Sequence, residues 1–377
     1  MSDGERLRAA RVAAGKSLRR MAFHVHFAPS YLSLVETGKR PVTPEIVAAY
    51  ELVLGAGSVT SDESTNGEQA TLEWIRRVTA SDVSDGTLDR LETAVDDLAS
   101  AYPTTPPDEL LVRVGQHLGY AGRLMDGKKT LVEHRRLMVA VGWLALLACT
   151  CHIDLGELSA AAARGHLARD VANEAEHPEI TAWCLETRAW QLLTAGDHAA
   201  AVELSRAAQA IAPQDSSVFI QATAQEGRAL ARLGDSKGTY SALRRVARLV
   251  SRMDEPDRPE HHFRYDPAKS DAYVATTLAW LGDPAAEPFA RHVLADLARA
   301  ESVRPRRIAS ANLDLGLALV AADKPDEAAH VALAAVTSGR LVPSNYWRVA
   351  EVVAGIETRG APDAAIVREA FRDTYPT

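Results

Sequence analysis

Hydrophobic positions in the first fifty-five residues recur at three- and four-residue steps in four short groups. The first group predicts a helix from about Asp3 to Ala14, with Leu7, Ala10 and Ala14 on one face. It stops at Gly15, a residue suited to the left-handed position after a helix. A second helix follows Ser17 as its N-cap and carries Leu18, Met21, Ala22 and Val25 inward. The third begins with Pro29 at its first position, where a missing N–H costs nothing, and buries Leu32 and Val35. Thr43-Pro44-Glu45 announces the fourth: a capping threonine, a proline at the first position, and an acid facing the positive helix end.

Beyond this quartet the pattern changes twice. Gly55 to Ala70 is polar and turn-rich, which predicts a linker. Two helical segments come next, about Leu72–Tyr102 (broken near Asp85-Gly86) and Asp108–Met125. From residue 130 a turn of a small residue plus an acid recurs at Gly156-Glu157, Gly196-Asp197, Gly234-Asp235, Gly282-Asp283 and Ala322-Asp323. The spacings are 40, 38, 48 and 40, and each turn lies between two amphipathic runs rich in Ala and Leu. Long helix pairs at a near-constant period predict a helical solenoid, capped by a last pair over 345–357 and 363–375. Polar residues Met253 to Pro267 account for the longer spacing; they lie on a binding face or form a solvated loop.

Charge separates the two halves. Residues 1–55 hold eight Lys/Arg and five Asp/Glu, a balance of +3, inside a chain whose net charge is −8. A basic start on an acidic body suggests that only the start meets a polyanion. Three cysteines among 377 residues argue against a disulfide framework and for a reducing compartment. The first fifteen residues lack a signal-peptide core. The most apolar run, Leu137 to Cys151, is shorter than the ~20 residues a membrane span needs. These readings place the chain in the cytoplasm, with no membrane partner.

Two choices in the first segment are poor for a free helix. Arg19 and Arg20 put positive charge at the positive end of the second helix, and Ala28 leaves the third without a capping side chain. Both suit a phosphate-binding surface, because helix N-termini with free N–H groups bind phosphate. The stretch from Gly15 to Pro41 resembles the helix-turn-helix of lambda-repressor-like (Cro/XRE-type) regulators in their actinobacterial form. Ala22 matches the small residue where two helices cross, Tyr31–Glu36 the recognition helix, and Gly38–Pro41 the turn after it. His26 stands where that family usually has a turn glycine, and histidine is among the residues that tolerate positive φ there. The resemblance implies that Ala28, Pro29, Ser30 and Ser33 approach base edges in the major groove. It implies that Arg19, Arg20, Lys39 and Arg40 hold phosphates, with Ser17 and Tyr31 as further donors.

The repeats resemble tetratricopeptide repeats. Ala189, Gly227 and Gly316 fit the small position of the first helix, Ala201 and Ala328 the one after the turn, and Pro213 the terminating proline. If that alignment holds, Trp183, Glu186, Trp190, Gln221, Arg228, Arg232, Thr276 and Trp280 face the inner groove. Tryptophan with arginine suits an amphipathic or anionic ligand or a peptide carboxylate; the same residues equally suit repeat core and solvated charge.

Other candidates are weaker. Cys149-Thr150-Cys151-His152 lacks the second ligand pair of a zinc site, and Glu174/His177 occurs in one copy. No metal, cofactor or catalytic residue is therefore expected. The expectation is an all-α regulator: a helix-turn-helix domain (1–55), a linker (56–71), a helical connector (72–129), and a tetratricopeptide-like α-solenoid for sensing and dimerisation (130–377). Its implied partners are double-stranded operator DNA, a second copy as homodimer, and a peptide or small-molecule signal. The architecture resembles peptide-pheromone-sensing regulators of Gram-positive bacteria, and equally actinobacterial helix-turn-helix proteins with repeat bodies. Two alternatives stand beside it: a DNA-bound scaffold whose repeats bind a partner protein, and a hydrolase using His261 and His262, which the lack of a pocket around that pair would dismiss.

Overall fold

The computed structural model describes residues 2–55, 83–253, 258, 261–267, 270–299 and 304–375. Every regular element among them is a helix. The chain divides into two compact units, Met1–Trp74 and Ile75–Thr377. The expected linker at 56–71 and the first part of the expected connector, 72–82, lie outside the described residues.

The first unit comprises α1 (Asp3–Ala13), α2 (Leu18–Val25), α3 (Pro29–Glu36) and α4 (Pro44–Leu54). Leu7, Met21, Ala22, Val25, Leu32 and Val35 meet Ile46 and Tyr50 in its core. Ala14, expected inward, is exposed, and the buried face of α1 uses Gly4 and Arg11 instead. Gly4 lets α1 lie against the backbone of α3: a Cβ there would sit 2.1 Å from the Val35 carbonyl oxygen. Buried Arg11 donates from Nε and Nη2 to the Glu36 carboxylate at 2.6 and 2.7 Å, and from Nη1 to the Lys16 carbonyl at 2.8 Å. The Tyr50 hydroxyl donates to the same carboxylate at 2.8 Å. Burial, and then Glu36, push the Tyr50 phenol up, so it stays a donor. A buried ion pair survives desolvation only with such complete hydrogen bonding. Here it ties α1, α3 and α4 together.

The turn between α2 and α3 is left-handed at His26, φ 56°, as the sequence suggested. Thr43 differs from expectation. It precedes α4, but its side chain does not cap the backbone. Its hydroxyl instead bonds the Glu45 carboxyl, holding it below its ordinary range together with Glu45's own N–H.

The second unit opens with α5 (Asp85–Ala101) and α6 (Pro107–Met125), both packed on α7. Six helix pairs follow: α7 (Leu131–Asp154) with α8 (Leu158–Glu174), α9 (Pro178–Thr194) with α10 (His198–Ile211), and α11 (Ser217–Arg232) with α12 (Ser236–Val250). Then come α13 (Ser270–Leu281) with α14 (Ala286–Arg299), α15 (Pro305–Ala321) with α16 (Pro325–Thr337), and α17 (Tyr346–Thr358) with α18 (Ala364–Thr374). Helices of a pair pack together, and each first helix packs on the next first helix. That stacking makes an α-solenoid. Small residues set its spacing: a Cβ on Gly227 would meet the Ala242 methyl at 3.1 Å, and one on Gly316 would meet Val352 at 3.3 Å.

The repeated turns share one geometry. Gly156, Gly196, Gly234 and Gly282 have φ between 72° and 88°. The N–H after each bonds a carbonyl five residues back, as Asp197 does to Leu192 at 2.9 Å, which closes the helix end. The fifth turn is shifted by one from the expected register: Asp323, at φ 59°, takes the glycine's place, and Ala322 stays on the helical side. A further turn of this kind, Glu176-His177 with φ 49° at Glu176, has no glycine to mark it in the sequence.

The length argument against a membrane span does not hold. Helix α7 runs 24 residues, long and apolar enough to cross a bilayer by those measures alone. However, 78% of its most apolar window is buried inside the protein. It is the central helix under α5, α6 and α8.

Candidate functional site

In the first unit, the start of α3 presents exposed Ala28, Pro29 and Ser30, with Ser33 half-buried one turn on. No side chain caps α3, so its leading N–H groups stay open. Arg19 and Arg20 are exposed at the start of α2, and Lys39 and Arg40 after α3. Among the described residues, Arg19, Arg20 and Lys39 enter no ion pair. Ser17 accepts the Arg20 N–H at 3.2 Å, which leaves its hydroxyl hydrogen to donate. Tyr31 stacks on Phe27 at 5.7 Å, and the Arg40 guanidinium lies 5.3 Å from its ring centre. Arg40 is thus held in place by a ring rather than by an acid.

In the second unit, the first helices surround a cavity of about 520 Å³. That volume lies within the roughly 300–1,000 Å³ of small-molecule sites. Six of the eight expected groove residues line it: Trp183, Glu186, Trp190, Gln221, Arg228 and Thr276. Arg232 and Trp280 do not. Arg232 donates to both oxygens of Glu351 on α17, and its guanidinium lies 5.4 Å from Trp280 and 5.5 Å from Trp347. Curvature brings α11 and α17 together, so these two residues close the wall behind the cavity.

A second closure involves Asp154 at the end of α7. Its carboxylate is buried and accepts from the Tyr102 hydroxyl, Arg306 and Ser344, each at 2.7 Å. These partners come from α5's end, α15 and the 3₁₀ turn Pro343–Asn345. Burial, then the Asp154 charge, raise the Tyr102 phenol well above its usual range.

The described part of the 253–267 insertion is not a solvated loop. His261, Phe263, Tyr265 and Asp266 are buried. Phe263 packs 4.8 Å from Trp143 and 5.5 Å from Trp183, and the His262 N–H bonds the Ala99 carbonyl at 3.0 Å. His262, Arg264 and Tyr265 thereby join the cavity wall. A pocket does border the histidine pair, but only through His262. His261 uses both ring nitrogens elsewhere, Nδ1 accepting the Phe263 N–H at 3.2 Å and Nε2 facing Asp96 at 3.1 Å. Burial, then Arg264, lower it to about 4. The two histidines do not act as a unit.

The cavity's electrostatics centre on Glu186, Arg228, Asp314 and Arg348. Burial raises the Glu186 carboxyl to about 7, against the Gln221 amide that donates to it at 3.1 Å. Burial, then the Arg348 charge, lower the Arg228 guanidinium to about 10. Arg348 bonds Ser310 at 2.8 Å and faces Asp314 at 3.4 Å. Sequence reasoning missed Arg348, Asp314 and Asp154. Asp314 had left a trace, as a lone acid between Leu313 and Leu315 in an apolar run. The cysteines are bland: burial raises Cys149 to about 11 and Cys151 to about 12. Among the described residues no cluster of His, Cys, Asp and Glu could hold a metal ion.

Residues 4–62 match a family described as a helix-turn-helix domain. No curated protein matches the chain. The crystal structure of Bacillus thuringiensis PlcR in complex with the peptide PapR7 and DNA is similar over 66% of this chain and 94% of its own. Identity is 11% and the TM-score 0.29, too distant a likeness to carry an inference.

Proposed function

We propose that the chain is a transcription regulator of the lambda-repressor-like kind, acting in the cytoplasm. Its first unit binds operator DNA, and a ligand in the cavity of its second unit controls that binding. The helix-turn-helix match over 4–62 is the observation that carries the DNA half, supported by the uncapped, exposed start of α3. In this reading Ala28, Pro29, Ser30 and Ser33 meet base edges, where serine bonds either base type and the others touch thymine methyls. Arg19, Arg20, Lys39 and Arg40, with Ser17 and Tyr31, hold the backbone and carry no sequence information. A second copy reads the other half-site, about 34 Å away, so the operator is an inverted repeat. Ligand binding changes DNA affinity only if it favours one arrangement of the dimer over another.

The cavity's charged and aromatic wall favours a diffusible ligand over a docked protein, which would need a broad apolar surface. Replacing Arg19 and Arg20 with Ala tests the DNA half. Affinity should fall alike for all sequences, and the salt dependence should flatten by up to about 1.8 in log–log slope for each copy bound, about 3.6 for the dimer. An unchanged slope sinks the phosphate assignment. Ser30→Ala with Ser33→Ala should alter operator preference more than non-specific affinity. A monomer in sedimentation, both free and on DNA, would end the dimer reading.

A further inference from the structure

Arg228 is a buried cation that the protein leaves nearly unaccompanied. It is 5% exposed, and among the described residues its one hydrogen bond runs to Gln225 Oε1 at 3.2 Å and it enters no salt bridge. Its Nε is buried without a partner, and so is that of Arg348, 6% exposed. Both guanidinium groups lie near the Trp280 ring, at 4.8 and 5.6 Å, and both line the cavity. Of the other four cavity arginines, Arg264, Arg306 and Arg307 each face an acid, Asp96, Asp154 and Asp266, and Arg304 completes the wall. Burying a charge without a counter-charge costs several kcal/mol, so such groups are paired or meet a ligand.

One more donor points the same way: Trp183 Nε1 is buried on the same wall with no hydrogen-bond partner. Asp314 Oδ1 on this wall is also buried without a hydrogen-bond partner, so the unpartnered donors of Arg228, Arg348 and Trp183 outnumber the one unpartnered acceptor. With Glu186 protonated, the form that burial favours up to about pH 7, Arg228 and Arg348 carry two positive charges and Asp314 one negative, leaving one to be balanced. A carboxylate matches that balance and the planar guanidinium fork; a phosphate dianion exceeds it. Trp183, Trp190 and Tyr273 give the cavity flat apolar walls beside this anion site.

We propose that the solenoid cavity binds a small carboxylate with a flat apolar body, its anionic group held between Arg228 and Arg348. The inference deepens the sensing reading and rests on it for the ligand's purpose, although the binding site itself is testable without DNA. The full chain is titrated with 3-phenylpropanoate, its neutral amide, and phenyl phosphate, following quenching of tryptophan emission. The carboxylate should bind at least about tenfold more tightly than the amide, since a charge-assisted fork is lost in the latter. Arg228→Gln should abolish that preference, whereas Arg228→Lys, which keeps charge but not the fork, should retain part of it.

Equal binding of acid and amide overturns the proposal, even if the variants fail to fold. So does the absence of saturable quenching up to roughly 10 mM of either anion, the range of very weak binding. Tighter binding of phenyl phosphate overturns the single-charge assignment. Anion binding that leaves operator affinity unchanged preserves this site and removes the sensing reading. Operator release by an uncharged compound, without acid preference, does the reverse.

Discussion

Glu36→Ala should open the first unit while leaving the second intact. Glu36 is 3% exposed and accepts three hydrogen bonds, two from Arg11 and one from Tyr50. Without it, Arg11 keeps only the Lys16 carbonyl, and the fully buried Tyr50 hydroxyl loses its acceptor. Removing one partner of a buried ion pair costs about 3–5 kcal/mol, mostly the penalty of the stranded charge. That is most of what a helical unit of this size has to lose, given net stabilities of roughly 5 kcal/mol at the low end. Amide hydrogen exchange on the full chain reads the unit separately. Peptides from α1, α3 and α4 should exchange about 10²–10⁴-fold faster, and those from α7 to α17 should not change. Arg11→Met with Glu36→Leu and Tyr50→Phe should recover most of the loss, because that apolar set strands neither a charge nor the hydroxyl. Acceleration of less than about fivefold in the single variant would refute the claim that this pair holds the unit together.

Gly4→Ala should loosen the same unit, since its Cβ meets the Val35 carbonyl at 2.1 Å and α1 must back away; exchange in α1 and α3 reports it. Asp154→Ala should lower the melting temperature of the second unit by stranding Arg306, a loss of about 3–5 kcal/mol, whereas loss below about 1 kcal/mol would mean the closure is ornamental. For Glu186, raised from 4.5 to about 7, the folded chain holds a proton that the unfolded chain releases across that window. Stability should therefore fall as pH rises from about 4.5 to 7, by up to about 3 kcal/mol, and Glu186→Gln should flatten that slope in urea melts. A slope unaffected by the substitution would mean Glu186 titrates normally.

Local signals determined the elements. Caps, prolines at first helical positions and apolar spacing placed the starts of α1 to α4, and the glycine turns placed most of the solenoid, because these features act within one or two helical turns. The same locality explains the misreadings. Glu176 and Asp323 adopt left-handed turns without glycine, where packing of the flanking helices outweighs backbone preference. Tertiary structure decided everything that depends on curvature. Arg228 meets Arg348 across 120 residues, Asp154 meets Ser344 across 190, and the 261–267 segment turns inward onto Ala99 and Trp183. No periodicity encodes these encounters. They follow from the summed small rotation between successive helix pairs, which sequence spacing leaves free and side-chain packing fixes.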